Sequence, residues 1–122
     1  MLKFIDNNLL HYHLCNYKSN LKDAINIIEN NHNRGLFLVN ENKRVVASLT
    51  DGDIRKALLR DSLLTDPVLP LANLNYKFLR NIEKENLIKE AEVILNKYPS
   101  LSLIPHLDNE YRLKDLIINR WN

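Results

Sequence analysis

Thr50 and Asp53 stand three residues apart, with Gly52 between them, where an apolar run gives way to an amphipathic one. A strand-to-helix junction of this kind offers backbone N–H groups that have no intrahelical acceptor, at the positive end of the helix dipole. That is a natural phosphate site. Thr50 adds a hydroxyl that donates to a phosphate oxygen. Asp53 adds a carboxylate that accepts from two vicinal hydroxyls, as a ribose presents. Gly52 has no Cβ and lets a ligand approach closely. Thr50, Asp51, Gly52 and Asp53 together form a candidate nucleotide-binding tetrad. The same spacing is nearly a capping box, in which Thr50 caps the helix and Asp53 reaches back to the cap. Spacing alone leaves both roles open.

Other chemistry-bearing residues are scattered. Cys15 is the single cysteine, so no internal disulfide forms, and it reads as an ordinary buried or half-buried thiol. His11 and His13 would share one face of a strand, but no third ligand stands near, and a solvated pair is expected. His32 falls in a polar helix end and His106 follows Pro105, so both read as surface or turn residues. No carboxylates are spaced as an acid–base pair. With two glycines in 122 residues there is no Gly-rich phosphate loop, so nucleotidyltransferase chemistry cannot reside in this chain. No catalytic residue, no metal site and no required cofactor is expected.

The elements that must position the tetrad follow from periodicity. Ser19 or Asn20 can cap a helix carrying Leu21, Ala24, Ile25 and Ile28 on one face. The polar run 30–34 ends it, with Gly35 supplying a permissive backbone. Leu36-Phe37-Leu38-Val39 reads as a buried strand, 40–43 as a turn and 44–49 as its hairpin partner. Ile54, Ala57, Leu58 and Leu59 mark a second helix. Pro67 and Pro70 interrupt regular structure and mark a connection. Beyond it, 76–79 reads as a short strand, 84–98 as a helix with Leu87, Ala91, Ile94, Leu95 and Tyr98 on one face, and 101–104 as a strand. Residues 108–110 read as a turn and 113–121 as a last helix.

The halves repeat: the helix at 22–28 resembles the one at 89–95, 67 positions on. Each is followed by an apolar strand, a turn and an Asp before an aliphatic residue, Asp53-Ile54 and Asp115-Leu116. On this alignment the second half is short of about one strand, and Arg112 replaces the hydroxyl residue of the tetrad. Two halves too small to bury their own faces would pack about a pseudo-twofold axis.

Residues 19–67 resemble the CBS motif, the β-α-β-β-α unit named from cystathionine β-synthase, over about fifty residues. The family's ribose and phosphate signature, Ser/Thr-x-x-Asp at the start of the last helix, falls on Thr50 and Asp53. The string Leu49-Thr50-Asp51-Gly52-Asp53-Ile54-Arg55, with Leu58-Leu59-Arg60 and Asp66-Pro67-Val68, is similar to CBS pairs that precede bacterial sugar-phosphate nucleotidyltransferase domains. The resemblance implies an α/β (α+β) fold of tandem CBS motifs with a degenerate second motif. The whole chain, 1–122, would be one CBS pair: motif one at about 10–62, a linker at about 63–74 and motif two at about 75–122. It further implies a non-enzymatic regulatory module. Such a module holds AMP, ADP or ATP in the cleft between motifs, near Tyr76, Lys77 and Ile104, and modulates an associated enzyme such as a sugar nucleotidyltransferase. The alternative is a dimerisation or interaction domain whose site has decayed. Family pairs form homodimers through their helices, which points to 54–59 and 113–121, with Tyr111 and Trp121 packing on the core or on a partner.

Composition agrees with a soluble domain: 45% hydrophobic and 26% charged, with net charge +2 and no basic run that would face nucleic acid. No stretch reaches the ~20 apolar residues of a membrane helix. The first ten residues lack the apolar region of a signal peptide, so a cytoplasmic location is expected.

Overall fold

A short strand, a helix and a hairpin occur twice in the computed structural model, which describes residues 2–120. In chain order the elements are β1 (Leu2–Phe4), β2 (Leu14–Asn16), α1 (Leu21–Asn31), β3 (Gly35–Val39), β4 (Val45–Thr50), α2 (Asp51–Leu59), β5 (Leu79–Arg80), α3 (Leu87–Lys97), β6 (Leu103–Leu107) and β7 (Leu113–Asn119). Single-turn or short 3-10 helices occupy Asn7–His13, Leu69–Leu71 and Lys84–Asn86. Residues 11–76 form one compact unit, and residues 2–10 together with 77–120 form the other.

In the unit of residues 11–76 the sheet order is β2-β3-β4, with β2 parallel and β4 antiparallel to β3. All five residues of β3 are buried, while β4 alternates buried and half-buried. Every amide of the first turn of α1 finds an acceptor. Asn20 Oδ1 accepts from the Asp23 amide at 2.9 Å, and the Leu21 and Lys22 amides donate to the Asp66 and Leu64 carbonyls, each at 2.9 Å. The proline-containing connection is therefore structural: it caps α1, and Val68 joins Leu21, Ala24, Leu36, Leu38 and Leu49 in the core. The helix ends at His32 in the left-handed region, φ 60°, its amide bonded to the Ile28 carbonyl. This corrects the expectation for Gly35. Left-handed backbone falls on His32 and Arg34, and Gly35 is the buried first residue of β3.

The other sheet has the order β1-β7-β6-β5, with β5 parallel and β7 antiparallel to β6. Its hairpin repeats the first one residue for residue. Asn40 Oδ1 accepts from the Asn42 and Arg44 amides, as Asp108 Oδ1 accepts from those of Glu110 and Arg112. Lys43 and Tyr111 close the two turns at φ 65° and 63°. The registers align Thr50 with Ile118, Arg44 with Arg112 and Ala47 with Asp115.

Several expectations are corrected here. Residues 113–119 form strand β7, not a helix, although Leu113, Leu116 and Ile117 fit helical spacing; pairing with β6 on one edge and β1 on the other decides the matter. The second half has not lost a strand, because its hairpin is complete, and Arg112 and Asp115 are not the counterparts of Thr50 and Asp53. Asp115 cannot cap a helix, being buried in mid-strand. Trp121 lies outside the described residues. Residues 76–78 are outside any strand, and β5 is only two residues long.

Pro105 sits inside β6, where a proline normally breaks a ladder. Its partner in β7 is Leu116, whose carbonyl accepts from the Ile5 amide on the β1 side. The Pro105 nitrogen thus faces the β5 side, where pairing begins only at His106. No ladder bond is lost. No helix among the described residues is long and apolar enough to cross a membrane.

Candidate functional site

Strand β4 delivers Thr50 in an extended conformation, φ −114° and ψ 167°, and α2 starts at the next residue. The sequence turns helical here because the tetrad closes on itself. Thr50 Oγ1 accepts from the Asp53 amide at 3.2 Å. Asp53 Oδ2 accepts from the Thr50 amide at 3.0 Å and from the Thr50 hydroxyl at 3.1 Å. The Asp51 amide donates to the Arg34 carbonyl at 3.0 Å, tying the helix start to the end of the α1–β3 loop. Thr50 and Asp53 are half-buried and Asp51 is exposed. Ile54 and Ala57 anchor the buried face of α2.

Chemically the junction retains a second carboxylate oxygen on Asp53, outside the two bonds that Oδ2 accepts. It also retains the Gly52 amide, which by its place in the first turn has no intrahelical acceptor. Two acids in that turn favour the helix dipole but oppose a phosphate, and Arg55 supplies a cation close to Gly52. A Cβ placed on Gly52 would lie 3.6 Å from Thr50 Oγ1 and 3.9 Å from Arg55 Nη2, ordinary contact distances. The chain's own packing therefore does not require glycine at this position.

The remaining candidates are spread out. Tyr76 is half-buried, donates from its hydroxyl to the Val45 carbonyl at 3.1 Å and meets the Phe37 ring edge-on at 6.3 Å between centroids. Val45 and Thr50 begin and end β4, so Tyr76 is anchored about 16 Å along the strand from the tetrad. Lys77 is exposed, its ammonium 4.7 Å from the centre of the Tyr98 ring. Ile104 is fully buried in a core with Leu79, Leu87, Ala91 and Ile117, which leaves it no surface for a base.

The histidines differ most from expectation. His13 belongs to a 3-10 helix and is buried, its Nε2 at 2.9 Å from Asn33 Nδ2. The solvated His11–His13 pair on one strand is therefore corrected; the His11 ring instead lies beside the Tyr12 ring, 4.1 Å between centroids and tilted by 36°. His106 is no turn residue: it is 1% exposed in β6, with Nδ1 at 2.9 Å from Asp115 Oδ2. Sequence reasoning missed this pair, although register 106↔115 in a hairpin about the 108–112 turn was its available signal. Cys15 is buried in β2, and burial pushes its thiol above the ordinary value. Among the described residues no three His, Cys, Asp or Glu side chains converge on a metal position.

Residues 11–60 match the CBS domain family. The fold of the chain is that of solved CBS domain pairs. Staphylococcus aureus OpuCA is similar with a TM-score of 0.67 at 20% identity, over 86% of this chain and 83% of that one. The CBS domain protein PAE2072 from Pyrobaculum aerophilum, complexed with AMP, gives 0.67 at 16% identity, over 82% and 74%. The CBS domain pair of protein MJ0100, complexed with 5′-methylthioadenosine and S-adenosyl-L-methionine, gives 0.72 at 19%, over 86% and 79%. No curated protein matches the chain in sequence.

Proposed function

We propose that the chain is a non-enzymatic regulatory module that binds an adenine nucleotide (AMP, ADP or ATP), using Thr50, Gly52 and Asp53 for phosphate and ribose. The observation that carries this is the position of the tetrad: a hydroxyl, a bare backbone and a carboxylate at the first turn of α2, inside the segment that matches the CBS family. The relatives solved with AMP and with S-adenosyl-L-methionine support an adenine-containing ligand. The nucleotide's differential affinity for two conformations of the module would be the signal. On this proposal the module acts as a homodimer in the cytoplasm. The string around Leu49–Arg55 favours an associated sugar nucleotidyltransferase as the regulated enzyme.

One observation favours a second reading. The closed capping box already uses both side chains of the tetrad, and stability alone accounts for them. An interaction domain with a decayed site would look the same. Calorimetric titration with AMP, ADP and ATP decides between the two. Saturable heat with at least one of them supports sensing, and no heat up to millimolar nucleotide leaves the interaction domain.

Gly52→Ala separates the roles further. Because the added Cβ meets only ordinary contacts, the substitution is expected to leave stability unchanged or raise it by up to about 1 kcal/mol. Nucleotide affinity is expected to fall at least about tenfold, or ~1.4 kcal/mol, if the ligand needs the bare backbone. Thermal melts with and without nucleotide read both effects.

A further inference from the structure

His106 and Asp115 are buried where the other unit carries Leu38 and Ala47, both fully buried. The fold therefore does not demand polar residues at these two positions, and burying them is unfavourable unless every polar atom is bonded. Both ring nitrogens are. Nδ1 lies 2.9 Å from Asp115 Oδ2, and Nε2 lies 3.2 Å from the Ile82 amide nitrogen. An amide N–H only donates, so Nε2 carries no proton, and Nδ1 donates to the carboxylate. The backbone thus fixes the neutral tautomer. Ile82 belongs to the segment that joins β5 to α3, which begins at Asn81 in the left-handed region, φ 60°.

We infer that His106 is a proton-operated latch on the segment 81–86, independently of any ligand. Neutral, it holds the Ile82 amide. Protonated at Nε2, it turns a second donor against that amide, and the segment must release. The Asp115 bond survives in both states and gains an ionised donor in the protonated one, so β6 and β7 stay paired. The charged groups facing the pair are few. Lys84 Nζ stands 3.7 Å from Asp115 Oδ1 and 5.3 Å from the centre of the Phe4 ring. α3 contributes the buried Leu87 and Ala91, while Glu83 and Glu85 are exposed. Arg80 points away, donating to the Asp108 and Asn109 carbonyls. Histidine is the side-chain type whose charge changes between about pH 5 and 8, which sets the window to probe.

Nitrogen NMR of the full chain across that window tests the latch. The ring shifts are expected to show the Nδ1–H tautomer at high pH, and the Ile82 amide shift to move with the same midpoint as the ring. After correction for intrinsic exchange, Ile82 protection is expected to fall about tenfold through the transition, the loss of one net hydrogen bond. Amides of β6 and β7 keep theirs. The double variant H106L/D115A, which copies the other unit, is expected to show no such transition at Ile82. The inference is overturned if His106 titrates while Ile82 does not respond, if His106 stays neutral to the end of the window, or if β6 and β7 open together with Ile82. The wild-type titration decides this even if the variant does not fold.

Discussion

Asp115→Ala is expected to lower the unfolding free energy by about 2–4 kcal/mol, because it leaves the buried His106 Nδ1–H without an acceptor and opens a void beside it. Tm should fall by on the order of 10 °C for a domain of this size. The double variant H106L/D115A removes donor and acceptor together and restores apolar contact, as Leu38 and Ala47 do in the other unit. It is expected to sit within about 1–2 kcal/mol of wild type, above the single variant, since replacing a buried pair by apolar groups is often nearly neutral. Urea denaturation followed by circular dichroism measures all three. A loss below 1 kcal/mol in Asp115→Ala, or a double variant weaker than the single one, contradicts the pair as the buried polar link of this sheet. Lys84 does not alter the expectation: its side chain is 66% exposed, and its ion pair with Asp115 is screened by water.

This effect could not be read from the sequence, and the reasons are physical. Elements closed by local signals were legible. Asn20 caps α1, Leu21, Ala24 and Ile28 line its buried face, and the apolar run 36–39 with its alternating partner forms the first hairpin. Elements decided by distant partners were not. Residues 113–119 satisfy helical and strand spacing alike, and only pairing with β6 and β1 makes them a strand. Once they are a strand, Asp115 moves from the expected last helix to mid-sheet opposite His106. Strands β1, β2 and β5, two or three residues each, are too short to leave a periodic trace. Turn chemistry misled as well, because the left-handed positions are His32, Arg34, Lys43, Asp61, Asn81 and Tyr111 rather than glycine. Pro105 suggested a loop because the sequence does not reveal that its nitrogen faces the short side of the sheet. The tetrad was legible in place and in both of its possible roles, because Thr50-x-x-Asp53 is a local device.

Asp53→Ala is expected to weaken adenine-nucleotide binding by tenfold to a hundredfold. A carboxylate that accepts ribose hydroxyls makes charge-assisted bonds worth about 1.5–3 kcal/mol, and every ~1.4 kcal/mol is a factor of ten in affinity. The same change opens the capping box, where Asp53 Oδ2 now receives the Thr50 amide and hydroxyl, so stability should fall by about 1 kcal/mol. Two effects from one residue would leave its role ambiguous, and Asp53→Asn separates them. Its amide oxygen still accepts from the Thr50 amide, which preserves most of the cap, while the charge that strengthens the ribose bonds is gone. Calorimetric titration with AMP and ATP, paired with thermal melts, therefore has distinct outcomes. A ligand role predicts that Asn binds almost as weakly as Ala while melting close to wild type. A capping role alone predicts that binding is the same in all three proteins and that only the Ala variant melts early. A helix cap that lies outside the tetrad gives the matching control. That control is Asn20→Ala at the start of α1, which should lose about 1 kcal/mol of stability and no affinity. If Asn20→Ala and Asp53→Ala lose stability equally and nucleotide affinity is identical in both, Asp53 serves the helix and not a ligand.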